Sequence, residues 1–156
     1  GSMITPLTGN EMNFYDLLLP EDPGTVVMNG NEYAWNTWGE ILNPPADAQI
    51  WATYKNEFYA GSPAVTFRKL GKGTITYVGV DSHNGALEKD ILKKLYAQLN
   101  IPVMDLPYGV TMEYRNGLGI VLNYSDQPYA FNLPKGAKAL IGTTNIPTAG
   151  VLVFSM

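Results

Sequence analysis

One long stretch of this chain carries its apolar residues at a helical interval, and that stretch limits what the rest can be. Leu87, Ile91, Leu92, Leu95 and Leu99 share one face of a helix, while Lys89, Asp90, Lys93 and Lys94 fall on the other. Ser82 or Asn84 can cap its start, and Asn100 and Pro102 mark its end. Asp90 and Lys94 stand at the spacing of a modest helical ion pair. Burying such a stripe is worth roughly 1.5–3 kcal/mol per side chain. The helix therefore needs a sheet to lie on, and the remaining chain must build it.

The flanking segments read as strands. Thr25 to Met28, the turn Asn29-Gly30-Asn31 and the aromatic run Tyr33 to Trp38 spell a hairpin, closed off by Pro44-Pro45. Ile50 to Tyr54 is another strand. Ala64 to Arg68 pairs naturally with Thr74 to Val78, because glycines in Leu70-Gly71-Lys72-Gly73 permit a tight connection. The strand from Thr74 runs to Val80. Near the start, the apolar run Asn13 to Leu19 predicts a turn or two of helix with Asn10 as its N-cap, ended by Pro20. Beyond Pro102 the pattern is all strand: Val110 to Arg115, the turn Asn116-Gly117, Leu118 to Tyr124, Tyr129 to Leu133, Ala137 to Ile141 and Val151 to Phe154. The expected fold is α+β, with a mixed or antiparallel sheet covered by one main helix over 4–102 and a small antiparallel β-domain over 103–156. Gly1-Ser2-Met3 reads as a cloning remnant.

Composition removes several function classes. Ten Lys and Arg against fourteen Asp and Glu leave a net charge of −4, and the basic residues are scattered, which argues against a nucleic-acid partner. The densest basic stretches, Arg68 to Lys72 and Lys89 to Lys94, read as a hairpin tip and a solvated helix face. There are no cysteines, so disulfides, thiolate metal sites and Cys nucleophiles are absent together. Such a chain suits a reducing or an oxidising compartment equally. No apolar run has the ~18 residues of a membrane span, so no membrane partner is expected.

The catalytic inventory is thin. His83 is the only histidine, so no nucleophile triad can be assembled, and its polar loop suits an ordinary solvated side chain. Gly71-Lys72-Gly73-Thr74 lacks the full phosphate-loop spacing and sits between strands; no cofactor motif remains. Glu40 and Glu57 are the carboxylates set among aromatic residues, and a raised pKa there is one reading beside that of rim carboxylates. The unusual feature is the aromatic group Tyr33, Trp35, Trp38, Trp51, Tyr54, Phe58 and Tyr59. Three roles are open to it: core packing, contact with another subunit, or a sugar-stacking platform. Trp35, Trp38, Trp51 and Tyr54 are the candidate sugar or interface contacts.

Phe58-Tyr59-Ala60-Gly61-Ser62-Pro63-Ala64-Val65-Thr66, followed by Leu70-Gly71-Lys72-Gly73-Thr74-Ile75-Thr76-Tyr77-Val78-Gly79-Val80-Asp81, resembles the middle, trimerisation domain of family 42 glycoside hydrolases, the bacterial β-galactosidases. Trp38-Gly39-Glu40-Ile41-Leu42 and Leu92-Lys93-Lys94-Leu95-Tyr96 before Ile101-Pro102 fit the same pattern. Tyr108-Gly109-Val110 through Asn123-Tyr124-Ser125 to Leu133-Pro134 is similar to the small C-terminal β-domain of those enzymes. Related strands occur in glutamine-amidotransferase-like domains, whose catalytic Cys has no counterpart here. The resemblance implies a parent enzyme that hydrolyses terminal β-galactosides with retention, using two glutamates of an N-terminal TIM barrel. A barrel of that kind needs about 250 residues, so neither glutamate maps onto this chain and no catalytic residue is assigned. It further implies that the first half of the middle domain is missing, that the partners are the barrel of the parent chain and, in the full-length form, two further copies in a trimer, and that this region serves as scaffold. Two rivals stand beside that reading: a carbohydrate-binding module using the Trp/Tyr cluster, and an independent enzyme with a carboxylate pair.

Overall fold

A computed structural model describes residues 4–156; the opening Gly1-Ser2-Met3, read above as a cloning remnant, lies outside the described residues. The chain divides into two compact units, the first ending at Pro102 and the second beginning at Val103. The architecture is the expected α+β arrangement: antiparallel sheets, one main helix and a small separate β-unit. No helix among the described residues is long and apolar enough to cross a membrane.

The first unit runs α1 (Thr5–Thr8), β1 (Glu11–Asp16), β2 (Gly24–Met28), β3 (Asn31–Asn43), β4 (Gln49–Tyr54), β5 (Pro63–Leu70), β6 (Gly73–Val78), β7 (Val80–Ser82), one 3-10 turn (His83–Gly85) and α2 (Ala86–Gln98). Every strand pairing in it is antiparallel. The sheet does not stay open. From β3 it passes through β2, β4 and β5 to β6, and β7 then returns to pair with β3, closing a ring. A strand has only two sides, which fixes the layout along β3. Trp35 pairs with both Gly24 and Ser82, and Gly39 with both Asp16 and Val80. So β7 occupies one side of β3, while β2 and then β1 occupy the other.

Gly79 makes the closure possible. It interrupts β6 and β7, donates its N–H to the Ala64 carbonyl at 2.9 Å and accepts from the Glu40 N–H at 2.6 Å. A Cβ here would lie 3.2 Å from the Glu40 carbonyl oxygen and 3.3 Å from that of Ala64, so the two neighbouring strands approach this closely only across a glycine. Inside the unit, Val26, Met28, Trp35, Tyr54, Val65 and Phe67 share one core with Leu87 and Ile91 of α2.

The structure corrects several local expectations. Asn13 to Leu19 is not helical: residues through Asp16 form β1, because the second half of β3 offers an unpaired side that a helix cannot satisfy. Asn10 caps nothing; its amide donates to Thr66 Oγ at 2.8 Å. The connection between β5 and β6 is shorter than expected, with Leu70 opposite Gly73 and Gly71-Lys72 alone at the tip. That places the rejected phosphate-loop lookalike at a hairpin end. On α2, Leu87 and Ile91 are buried and Leu95 is partly so, but Leu92 and Leu99 face solvent. Asp90 and Lys94 turn toward the sheet instead of away from it. Asp90 accepts from Tyr33 Oη at 2.7 Å, and the Lys94 ammonium sits 4.0 Å from the centre of the Trp51 ring. Ser82 serves the start of the helix as expected, its hydroxyl accepting from the Leu87 N–H at 3.1 Å.

The second unit contains β8 (Val110–Arg115), β9 (Leu118–Asn123), β10 (Tyr129–Ala130), β11 (Lys138–Ile141), β12 (Asn145–Ile146) and β13 (Gly150–Ser155). The Asn116-Gly117 turn joins β8 to β9 in register, and the sheet continues through β13 to β11. Tyr129 to Leu133 forms a strand only at its first two residues, pairing with the short β12. Val110, Val121, Phe131, Ile146, Leu152 and Phe154 make its core.

Candidate functional site

Strand periodicity puts Trp38, Glu40 and Leu42 of β3 on one face of the sheet. β1 adds Tyr15 opposite Glu40 and Met12 opposite Leu42. Tyr15 stacks on Trp38 with ring centroids 4.6 Å apart and planes 11° from parallel. Glu40 is the polar centre of this face. One oxygen accepts from Tyr77 Oη at 2.5 Å, and the other from Trp38 Nε1 at 3.3 Å. A cleft of about 80 Å³ opens on one side, lined by Thr8, Asn10, Met12, Glu40, Leu42 and Tyr77 among others. A shallow groove of about 280 Å³ lies on another side, lined by Trp38, Glu40, Gly79, Asp81 and Glu88 among others.

Burial and neighbouring carboxylates shift the tyrosine hydroxyls around Glu40. Burial pushes the Tyr77 hydroxyl up to about 12, helped by its hydrogen bond to Glu40. Tyr54 is raised further by burial and by the charges of Glu40 and Asp16; its hydroxyl donates to the Glu40 carbonyl at 3.0 Å. Tyr59 is likewise raised, by burial first and then by its 2.6 Å hydrogen bond to Asp16.

The groove brings three carboxylates together without making them an acid–base pair. Both Glu40 oxygens accept from Tyr77 and Trp38, and both Glu88 oxygens accept from Ser82, at its N–H and its hydroxyl. Among the described residues, Asp81 alone of the three has no side-chain hydrogen bond. Hydrolysis by the two-carboxylate route needs two acids free to face one bond. Glu57 does not join them: it lies exposed in the turn before Tyr59, with φ of 67°. His83 opens the 3-10 turn and is exposed. Among the described residues no group of three His, Asp or Glu side chains could hold a metal ion.

Of the four aromatic residues expected as contacts, three are in the core. Trp35 is 1% exposed and packs edge-on against Tyr54, itself 2% exposed. Trp51 stacks on Phe67 at 4.6 Å, with Lys94 over its ring. Trp38 alone reaches the surface, at 39% exposure. Beside it run exposed apolar residues that sequence reasoning did not assemble: Met12, Tyr15, Leu17 and Leu19 along and just after β1, with Phe14, opposite Ile41, stacked on Phe58 at 5.5 Å on the other face. The helical reading of Asn13 to Leu19 hid it; strand periodicity would have set Tyr15 beside Trp38.

Comparison with known proteins gives matches over both units. Residues 1–107 match the family model described as the β-galactosidase trimerisation domain, and residues 109–156 match the β-galactosidase C-terminal domain. The β-galactosidase LacA of Lactobacillus acidophilus is 41% identical over 73 residues, which is 47% of this chain and 11% of that protein. The β-galactosidase BgaB of Geobacillus sp. (strain Y412MC61) is 30% identical over 115 residues, covering 70% of this chain and 17% of the relative. Among solved structures, a β-galactosidase from Rahnella sp. R3 superposes with a TM-score of 0.80 at 26% identity, over 98% of this chain and 25% of its own. One from Halorubrum lacusprofundi gives a TM-score of 0.82 at 24% identity, over 98% of this chain and 23% of its own. The chain thus spans a quarter or less of the length of each of these four proteins.

Proposed function

The chain belongs to the family 42 β-galactosidases, and from that premise we propose that it is their scaffold and oligomerisation region, holding a catalytic barrel and neighbouring copies in place while contributing no catalytic group. The full-length protein then hydrolyses terminal β-galactosides with glutamates outside these residues. The observation that carries this reading is the run of exposed apolar residues along and just after β1. Leu17 is 59% exposed and Leu19 63%, next to the stacked Tyr15–Trp38 pair. Several large apolar side chains exposed along one strand and the segment after it suit a protein contact. The outer side of β1 is also an open sheet edge, available for another backbone. Trp38 serves as an interface residue in this reading. As a sugar platform it would act alone, with Trp35, Trp51 and Tyr54 buried and Tyr15 already on its ring.

Replacing Leu17 and Leu19 together by Lys in the full-length enzyme tests the proposal. The expected result is loss of the oligomer by light scattering, with the variant of the isolated 156-residue chain as stable as the parent sequence. An unchanged oligomeric mass would refute it. So would turnover of a chromogenic galactoside by the isolated chain that Glu40→Gln abolishes.

A further inference from the structure

The second unit carries a hollow that the scaffold role does not use. It has a volume of about 730 Å³ and is walled by Tyr108, Tyr124 and Tyr129, with Ser125, Asp126 and Gln127 between them. That size lies within the roughly 300–1,000 Å³ of small-molecule sites. Tyr108 is wholly exposed and Tyr124 is 69% exposed, which is unusual for large rings with no partner.

The backbone beneath these rings is tightly held. Asn123 is 1% exposed, and its amide nitrogen donates to the carbonyls of Gln127 at 2.8 Å, Ile146 at 3.1 Å and Pro147 at 3.2 Å. Its oxygen accepts from the Ser125 N–H at 3.0 Å and the Ser125 hydroxyl at 2.6 Å. A second clamp joins the two tyrosine segments: the Tyr124 N–H donates to the Gly109 carbonyl at 2.6 Å. Gly109 has φ of 82°, and a Cβ there would come 2.9 Å from the Ser125 nitrogen, so this approach needs a glycine. A buried polar residue making five hydrogen bonds under a surface loop fixes the wall of the hollow in one geometry. The side chains above it are unspent: Asp126, the Gln127 amide and the hydroxyls of Tyr108 and Tyr124 make no hydrogen bond among the described residues.

We propose that this hollow is a saccharide-binding subsite, in which Tyr108 and Tyr124 present ring faces to the C–H side of a sugar and Asp126 and Gln127 take its hydroxyls. Aromatic faces paired with planar polar side chains match a ligand that is apolar on one side and rich in hydroxyls around its rim. No Lys or Arg lines the hollow, which disfavours phosphates and carboxylates. Among the described residues neither Tyr108 nor Tyr124 has a ring partner, so both ring faces are open to a ligand.

The test is an NMR titration of the whole chain with galactose, with lactose and, separately, with tetramethylammonium. Saturable shifts confined to amides 107–109 and 124–129 are expected with the sugars. Tyr108→Ala and Tyr124→Ala should each weaken them by about tenfold, while Trp38→Phe leaves them unchanged. Both tyrosines are exposed, so the amide pattern of β8, β9 and β13 serves as the check that the variants fold. Absence of saturable shifts, shifts centred on Trp38, or tighter binding of tetramethylammonium than of either sugar would each overturn the assignment. The scaffold proposal is unaffected by any of these results, because its own test reads oligomeric mass.

Discussion

Thr37 sits at φ of 70° between the stretch of β3 that pairs with β2 and the stretch that pairs with β1. A β-branched residue in the left-handed region is strained by about 1–2 kcal/mol. Its N–H donates to the Leu18 carbonyl at 3.0 Å, which holds the chain in that conformation as β3 changes partners. Thr37→Gly relieves the strain at some entropic cost, so a net gain of up to about 1 kcal/mol is expected in chemical denaturation followed by tryptophan emission. The tyrosines act at the same scale on pH dependence. Tyr33, Tyr54, Tyr59 and Tyr77 all have folded-state values above the ordinary one near 10, with Tyr77 at about 12. The folded chain therefore keeps these protons where the unfolded chain has lost them. Their stabilising contribution is complete below pH 10 and declines as pH rises through the folded values. Unfolding midpoints should fall between pH 10 and 12, and Tyr77→Phe should shallow that fall, as read by tyrosinate absorbance alongside denaturation.

At the scale of elements, α2 was legible in its existence but not in its rotation. Five apolar residues marked one face, yet the sheet buries Leu87 and Ile91 and leaves Leu92 and Leu99 in solvent. Spacing cannot tell which edge of a wide apolar stripe a sheet will choose, since Tyr33 and Trp51 select it by drawing in Asp90 and Lys94. Leu87→Ala should cost about 2–5 kcal/mol and Leu99→Ala less than about 0.5 kcal/mol, a contrast that thermal melts of the two variants will show. The hairpins joined by Asn29-Gly30 and Asn116-Gly117 were legible because turn and strands are adjacent in sequence. β1 was not, because what makes it a strand is the distant second half of β3. The site shared that fate. Trp38 stood out as a candidate, but only pairing across β1 and β3 brings Tyr15 to its ring, and only the closed ring brings Tyr77 to Glu40. The tyrosine hollow lay in two turn segments whose meeting at Gly109 and Tyr124 no local pattern announces.

For the whole molecule, the two units spread their aromatic residues differently. All three tryptophans lie in the first unit, with Tyr15 stacked on Trp38, whereas the aromatic residues that line the hollow of the second are all tyrosines. The first unit is also the one whose strands must form a circuit. Trp35 meets Ser82 and Gly39 meets Val80, the contacts most distant in sequence along that circuit. Contacts of long separation form late, since the intervening loop must first be ordered. A chain emerging from the ribosome thus lays down its local hairpins early but cannot complete the ring until Ser82 is free of the exit tunnel. The helix arrives immediately afterwards, so the final act of closure and the delivery of Leu87 to the core it shares with Trp35 become a single event in time.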